Sequence, residues 1–288
     1  MSIAVFGEVL FDCFPDGKKI PGGAPFNVAW HLQAFGNAPC FISRIGTDSE
    51  GRSILRIMDN WGLDTTCVQD DDGHPTGRVE VRFHQGEPHY DIVTDSAYDF
   101  IATEQLPRLA DIDILYHGTL ALRNSVSRKT LDFLTQGKQP RIFLDVNLRS
   151  PWWQSEHVLK RIEKATWVKM NREELHLLGY DSGDIKADMT QLCEQFQLDQ
   201  LIVTQGAHGA SVLSADGELQ QRKPTGSARV VDTVGAGDAF CAVYLHGLAR
   251  GWPVAEILCQ AQSFADKIVG LRGATTEDRD IYRKVNAR

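Results

Sequence analysis

Short apolar, β-rich runs alternate with amphipathic segments along most of this chain, and that alternation restricts the fold more than any single residue does. The runs are 3–10, 41–45, 112–116, 142–146, 167–170 and 201–204. Between them, segments 27–35, 53–61, 125–134, 155–165 and 189–196 carry apolar residues at helical spacing. Near-continuous apolar strands separated by helices predict an α/β fold, a mostly parallel sheet covered by helices on both faces. One stretch breaks the pattern. Arg78-Val79-Glu80-Val81-Arg82-Phe83 alternates polar and apolar at period two, and His89-Tyr90-Asp91-Ile92-Val93 follows a turn containing Gly86. A half-buried antiparallel hairpin outside the main sheet is predicted there. No internal repeat, low-complexity tract or Pro/Gly-rich linker divides the chain. The expectation is therefore one domain, 1–288, with a small β lid contributed mainly by about 76–95.

Composition supports a folded globule, since 42% hydrophobic and 24% charged residues allow a sizeable core. Lys and Arg number 30 against 38 Asp and Glu, a formal net charge of -8. Such a surface repels phosphate backbones, and no run of four Lys or Arg interrupts it, which argues against a general nucleic-acid binder. The first residues lack the basic start and small-residue cleavage site of a secretory signal. No apolar stretch approaches the ~18 residues that span a bilayer. Cys13, Cys40, Cys67, Cys193, Cys241 and Cys259 are scattered without a Cys-x-x-Cys pair and read as reduced, mostly buried thiols. A cytoplasmic protein with no membrane partner is expected.

The sharpest chemistry lies near the C-terminus, where Asp232-Thr233-Val234-Gly235-Ala236-Gly237-Asp238-Ala239-Phe240 turns a loop into a helix. Small residues there let a ligand approach the backbone, and unpaired N–H groups with the helix dipole favour an anion. Asp238 fits two roles at this junction. It could cap the helix, or it could act as a general base beside the anion, deprotonating a hydroxyl that attacks a phosphoryl group. Two familiar nucleotide loops are absent. No Gly-x-x-x-x-Gly-Lys-Ser/Thr string exists, and Gly7 is followed by Glu8-Val9-Leu10-Phe11-Asp12 where a dinucleotide fingerprint needs further glycines. A second polar cluster lies in the N-terminal half: Asp12 just past the first strand, and Gly22-Gly23-Ala24-Pro25-Phe26-Asn27 before a helix. Asp and Asn can hydrogen-bond hydroxyls and a Gly-Gly turn allows close approach, which would suit a sugar; a plain turn with Asn27 as helix cap accounts for the same residues.

Gly22-Gly23-Ala24-Pro25-Phe26-Asn27-Val28-Ala29, followed by Gly36 and Gly46, resembles the N-terminal pattern of the ribokinase-type (PfkB) carbohydrate kinases. Asp232 to Asp238 resembles that family's Asp-Thr-x-Gly-Ala-Gly-Asp loop, and the two patterns stand in the right order at opposite ends of the chain. With Asp145-Val146-Asn147-Leu148-Arg149 and Trp152-Trp153, the chain looks most like the fructokinase branch. Val243 departs from the Ala or Gly usual in the family, and Val146 from the Pro frequent in fructokinases.

The resemblance implies a ribokinase-like fold and a role for each matched residue. Asp238 would be the catalytic base, and Gly235, Ala236 and Gly237 the backbone anion hole for the transferring phosphoryl group. Asp12, Gly23 and Asn27 match sugar-binding positions. Asn171-Arg172-Glu173-Glu174 matches an Asn-x-x-Glu motif that helps hold magnesium, largely through water; by itself it reads as a helix start with acidic first-turn residues. Thr204, Gly206 and Gly209 match a nucleotide segment, with Asn171 also on the ATP side. The backbone carbonyls of Asp232 and Val234, near Gly273, match a site for a monovalent cation such as K+. Arg149, after a strand end, would contact a phosphate or the far end of the substrate, with a surface ion pair as the plain alternative. The nine histidines show no metal-ligand grouping, and Asp70-Asp71-Asp72-Gly73 reads as a solvated turn.

The expected activity is ATP- and Mg2+-dependent transfer of a phosphoryl group to a primary hydroxyl of a ketohexose, fructose first. 2-Keto-3-deoxygluconate and then ribose follow as alternative acceptors, and a homodimer is the expected assembly. A non-catalytic sugar-binding homologue is the competing class, though it would have no need of Asp238. A glycosidase would leave the glycine loop unexplained.

Overall fold

The apolar runs become strands of one large sheet. A computed structural model of the chain describes residues 1–84, 87–106, 112–136, 139–224 and 230–286. In chain order the strands are β1 (Ile3–Phe6), β2 (Leu10–Cys13), β3 (Lys19–Gly22), β4 (Cys40–Gly46), β5 (Val68–Asp71), β6 (Gly77–His84) and β7 (Glu87–Ile92). They continue with β8 (Ile114–His117), β9 (Arg141–Asp145), β10 (Trp167–Asn171), β11 (Gln200–Thr204), β12 (Ala210–Ser214) and β13 (Leu219–Arg222). The longer helices are α1 (Ala24–Ala34), α2 (Ser49–Trp61), α3 (Ser125–Leu134), α4 (Ser155–Ile162), α5 (Arg172–Leu177), α6 (Ile185–Phe196), α7 (Ala236–Arg250) and α8 (Val254–Val269).

The large sheet has the order β13-β12-β11-β10-β9-β8-β1-β4-β5, with every neighbouring pair parallel except β11–β12 and β12–β13 at one edge. Its strands are buried on both faces because alternate side chains serve different helix layers. Ile3 and Val5 of β1 share one cluster with residues of α1, α2, α7 and α8, while Ala4 and Phe6 pack with Leu115 and the α3 residue Leu131. Farther along, Phe143 and Ile202 join the first layer, and Leu144 and Val203 meet Val158, Leu175 and Met189 of α4, α5 and α6. Helices thus cover both faces, as predicted. Among the described residues, no helix is long and apolar enough to cross a membrane.

The first apolar run does not form one strand. It divides at Gly7, whose φ is 149° and where a Cβ would overlap the Pro25 ring. The chain then leaves the large sheet, and β2 joins a second, four-stranded sheet of order β3-β2-β6-β7. The predicted hairpin is there as β6 and β7, antiparallel from Val79↔Ile92 to His84↔Glu87. Its Gly86 turn lies outside the described residues. The second sheet also contains β2, parallel to β6, and β3, so it is built from more of the chain than the period-two pattern revealed.

Two readings of local sequence need correction. Asp71 is not in a solvated turn: it ends β5 at 3% exposure, paired with Arg44 at 2.9 Å and accepting the N–H groups of Gly73 and His74. Arg44 and those donors satisfy a carboxylate that would otherwise be costly to bury. Nor are all six cysteines thiols. Cys40 and Cys67 are joined by a disulfide, with Cα atoms 6.3 Å apart, because Cys67 immediately precedes β5 and β5 is the parallel neighbour of β4. Of the four free cysteines only Cys193 and Cys241 are buried.

The base of the small sheet is tightly packed. A Cβ at Gly77 would lie 2.5 Å from the Tyr98 ring and 2.8 Å from the Val9 carbonyl, whereas one at Gly118 would have its nearest neighbour at 3.8 Å. Gly77→Ala is expected to lower stability by about 1–3 kcal/mol in urea unfolding, as overpacking does. Gly118→Ala should stay within about 0.5 kcal/mol of the parent. Equal unfolding midpoints for the two variants would contradict this.

Candidate active site

Parallel strands bring their carboxyl ends to one edge of the sheet, and the candidate residues gather there. On one side, Asp12 lies against the glycine turn: a Cβ at Gly22 would sit 3.2 Å from its Oδ2. Gly23 precedes α1 with φ 108°, and a Cβ there would be 2.7 Å from the Glu8 carbonyl oxygen and 3.3 Å from Glu8 Cγ. The turn can therefore close onto Glu8 only as glycine. Asn27, 4% exposed in the first turn of α1, donates from Nδ2 to Oδ2 of Asp238 at 2.7 Å. That bond joins residues 211 apart in sequence. Asn27 Oδ1 is buried without a hydrogen-bond partner among the described residues.

Gly235, in the left-handed region at φ 79°, is the N-cap of α7, and a Cβ there would overlap Ala274. No side chain caps this helix. Asp238 is its third residue, so the capping role left open by the sequence does not apply. In its first turn the Ala236 N–H makes a long 3.4 Å bond to the Thr233 carbonyl, and the N–H groups that follow, which no helix can satisfy internally, face the approach of a ligand. Asp232 shapes the approach instead, accepting N–H bonds from Val234 at 3.0 Å and Gly273 at 3.2 Å.

Three carboxyls meet at this edge. Burial raises the pKa of Glu8 to about 7, of Asp12 to about 6 and of Asp238 to about 6. Arg149, exposed on the loop after β9, opposes the rise at all three. Its charge thus acts on the whole cluster. On the exposed side, the charges of Asp12 and Asp232 also act on Tyr90 of β7.

A buried ion pair lies behind the glycine loop. Lys169 of β10 is 7% exposed and its Nζ is 2.9 Å from Oδ1 of the fully buried Asp145. Burial alone would lower the lysine pKa, but the Asp145 carboxylate raises it, so the ammonium stays charged. A Cβ at Gly237 would lie 3.1 Å from Lys169 Nζ, placing that charge beside the first turn of α7. Tyr116 and Cys241 also donate to Asp145 Oδ2, at 3.3 and 3.4 Å.

Beyond it, Asn171 and Thr204 stand side by side in the β10–β11 register. Asn171 caps α5 through a reciprocal pair of bonds: its Oδ1 accepts from the Glu174 N–H and Glu174 Oε2 accepts from the Asn171 N–H, both at 2.8 Å. The remaining oxygen, Glu174 Oε1, accepts from the Leu148 N–H at 2.8 Å. A cation bound directly to Glu174 would compete with these bonds, whereas one reached through water leaves them intact; the residues fit a hydrated Mg2+. Thr204, Gly206 and Gly209 form the turn from β11 to β12, and a Cβ at Gly209 would overlap the Arg222 carbonyl.

Glu8 and Lys169 were missed in the sequence. Each carried one signal: Glu8 is a charge at the carboxyl end of a buried strand, and Lys169 is a charge inside one. Lys169→Met would leave the Asp145 carboxylate buried and unpaired, an expected loss of about 3–5 kcal/mol. Adding Asp145→Leu should recover most of it. Chemical unfolding of the single and double variants measures this, and a double variant no more stable than Lys169→Met would refute the coupling.

Comparison with known proteins agrees with this geometry. The pfkB family carbohydrate kinase pattern matches residues 4–280. The chain is 32% identical to the fructokinase of Escherichia coli over 85% of this chain and 83% of that protein. It is 31% identical to the fructokinase of Salmonella typhimurium over 97% of this chain and 98% of that one. A solved structure of a fructokinase double mutant from Vibrio cholerae O395, bound to fructose, ADP and potassium ion, superposes with a TM-score of 0.86 at 25% identity, covering 98% of this chain and 97% of that one. With a match spanning nearly all its length and relatives of this similarity, the chain belongs to the pfkB family of carbohydrate kinases.

Proposed function

We propose that the protein transfers the γ-phosphoryl group of ATP to a primary hydroxyl of a ketohexose, with fructose as the preferred acceptor. The observation that carries this reading is the Asn27–Asp238 bond, which sets a carboxylate between the polar N-terminal turn and the open first turn of α7. Asn27 holds Oδ2, leaving Oδ1 to accept the proton of the attacking sugar hydroxyl. With a pKa near 6, Asp238 is a carboxylate at neutral pH yet more basic than an exposed aspartate. Charge on the transferring phosphoryl group is met by the N–H groups of Gly235, Ala236 and Gly237, with the Lys169 ammonium beside them. Asp12, Gly23 and Arg149 line the sugar side, and Asn171, Thr204, Gly206 and Gly209 the nucleotide side.

Asn171 and Glu174 would hold Mg2+ through water, and the ion would draw charge from the phosphates. The carbonyls of Asp232 and Val234 are the candidate ligands for a monovalent cation, near Gly273. The Vibrio cholerae relative, which binds fructose, ADP and potassium ion, supports these choices. The four-stranded sheet acts as the lid that excludes water from the transfer. Its outer strands β3 and β7 lie at the ends of the sheet, and pairing of such edges joins two subunits into a homodimer.

A coupled ADP-release assay with MgATP over fructose, 2-keto-3-deoxygluconate and ribose tests the reading. Fructose should give the highest kcat/KM; a sugar that binds tightly while none is turned over would leave a binding protein instead. Asp238→Asn should lose about a hundredfold to ten-thousandfold in kcat with sugar affinity nearly unchanged. In the parent, kcat/KM should fall below about pH 6 as Asp238 gains its proton, and in the variant this acid limb should be shallower, keeping only what Glu8 and Asp12 contribute. Near-normal turnover in Asp238→Asn would remove it from the role of base.

A further inference from the structure

Away from the glycine loop, a cavity of about 350 Å³ lies between α3 and α4. Arg123, Arg128, Arg161 and His157 line it together with the rings of Trp152 and Trp153. None of the lining residues is an aspartate or glutamate. In a chain with a formal net charge of -8, that is a concentration of one sign where the average surface has the other.

The nearby carboxylates do not cancel it. Asp99 takes Arg123 through Nε and Nη2, both at 2.7 Å. Asp132 is shared between Arg161 at 2.6 Å and Lys164 at 3.0 Å. Arg128 has no carboxylate among the described residues and spends Nη1 on the carbonyls of Leu122 and Arg123, at 2.8 and 3.0 Å. Arg123, Arg128, Arg161 and Lys164 thus have only two bonded carboxylates among them, while Glu156 in the first turn of α4 is held by Lys160 at 2.7 Å and Glu8 acts on Arg123 from the carboxyl cluster. The Arg123 side chain is only 7% exposed, yet its Nη1 is buried with no hydrogen-bond partner among the described residues. The first turn of α4 opens at the same place: Gln154 precedes the helix without a side-chain cap, so unpaired N–H groups add their positive end. Arg123 stacks on Trp152 at 4.9 Å, giving the cavity an aromatic wall as well as donors.

We propose that this cavity is a second ligand site, for a small organic phosphate monoester whose dianion meets Arg128, Arg161 and the start of α4 while its body rests on Trp152 and Trp153. Forked guanidinium donors and a helix N-terminus suit the phosphate dianion, and the volume suits a metabolite rather than a lone ion. Occupation of the site bears on catalysis through one loop: the Trp152 backbone N–H donates to the Arg149 carbonyl at 2.7 Å, and the charge of Arg149 acts on Asp12 of the carboxyl cluster. A ligand there shifts sugar affinity, and sugar shifts the affinity of that ligand by the same factor.

Glycerol 3-phosphate is the probe, titrated calorimetrically into the full chain with saturating MgADP present to fill the nucleotide side. One saturable site is expected. Arg128→Gln should weaken it about tenfold or more, the loss of a charge-assisted hydrogen bond. Gln154→Glu, an exposed position, should weaken it similarly by placing a carboxylate at the rim. Both variants should keep sugar turnover without the probe within about twofold, as substitutions outside the reacting groups do. Absence of saturable binding overturns the proposal. So does binding that survives both substitutions, which would assign the phosphate to the glycine loop.

Discussion

The hydrogen bond from Asn27 to Asp238 depends on the packing of α1 against α7, and the arrangement of the site depends on it in turn. Each residue opens a helix, and each helix is positioned by a glycine that tolerates no side chain: Gly23 against Glu8, and Gly235 against Ala274. Two turns from opposite ends of the chain are thereby fixed to within a hydrogen bond. One presents carboxyls, the other presents backbone N–H groups. The distance between the Asp238 carboxylate and the N–H groups at the start of α7 is set by helix packing rather than by flexible side chains, the kind of preorganisation that the proposed transfer would use.

The charges behind that edge are arranged in depth. Lys169 and Asp145 form a desolvated pair whose breaking would be costly, and a glycine beside the pair lets the helix terminus approach the ammonium. Nearer the surface, Glu8, Asp12 and Asp238 share the influence of an exposed arginine, and burial leaves all three less acidic than usual. A net negative protein can thus offer a locally favourable place to an anion, since backbone donors, one buried ammonium and an arginine lie at this edge and the overall charge does not describe them.

Much of the fold was legible because it follows from period and punctuation. The parallel core, the flanking helices and the β6–β7 hairpin all appear where apolar runs and alternation put them. What the pattern concealed has physical causes. Residues 3–10 read as one strand because apolar periodicity cannot register the backbone turn at Gly7. Cys40 and Cys67 are partners only because two strands happen to be neighbours. Asp71 looked solvated in a run of acids, yet the register of β5 buries it against Arg44. In the site, the glycine loops and Asn27 announced themselves by composition and spacing. Lys169 did not, since its function depends on what lies behind a neighbouring helix. The Asn171–Glu174 spacing was legible as a motif, but only the structure shows that both Glu174 oxygens are already engaged by backbone N–H groups.

The small sheet is not an appendage. Its middle pair joins Leu10 of β2 to Gly77 of β6, with β4, α2 and β5 of the main body lying between them in the chain. That pairing therefore rests on contacts of high sequence separation rather than on the local hairpin alone. Nor can the hairpin be cut out cleanly: removing β6 and β7 would strip β2 of a neighbour while β2 remains tied through three residues to β1 of the large sheet. Any change of length in the hairpin is free to vary its tip but not its root.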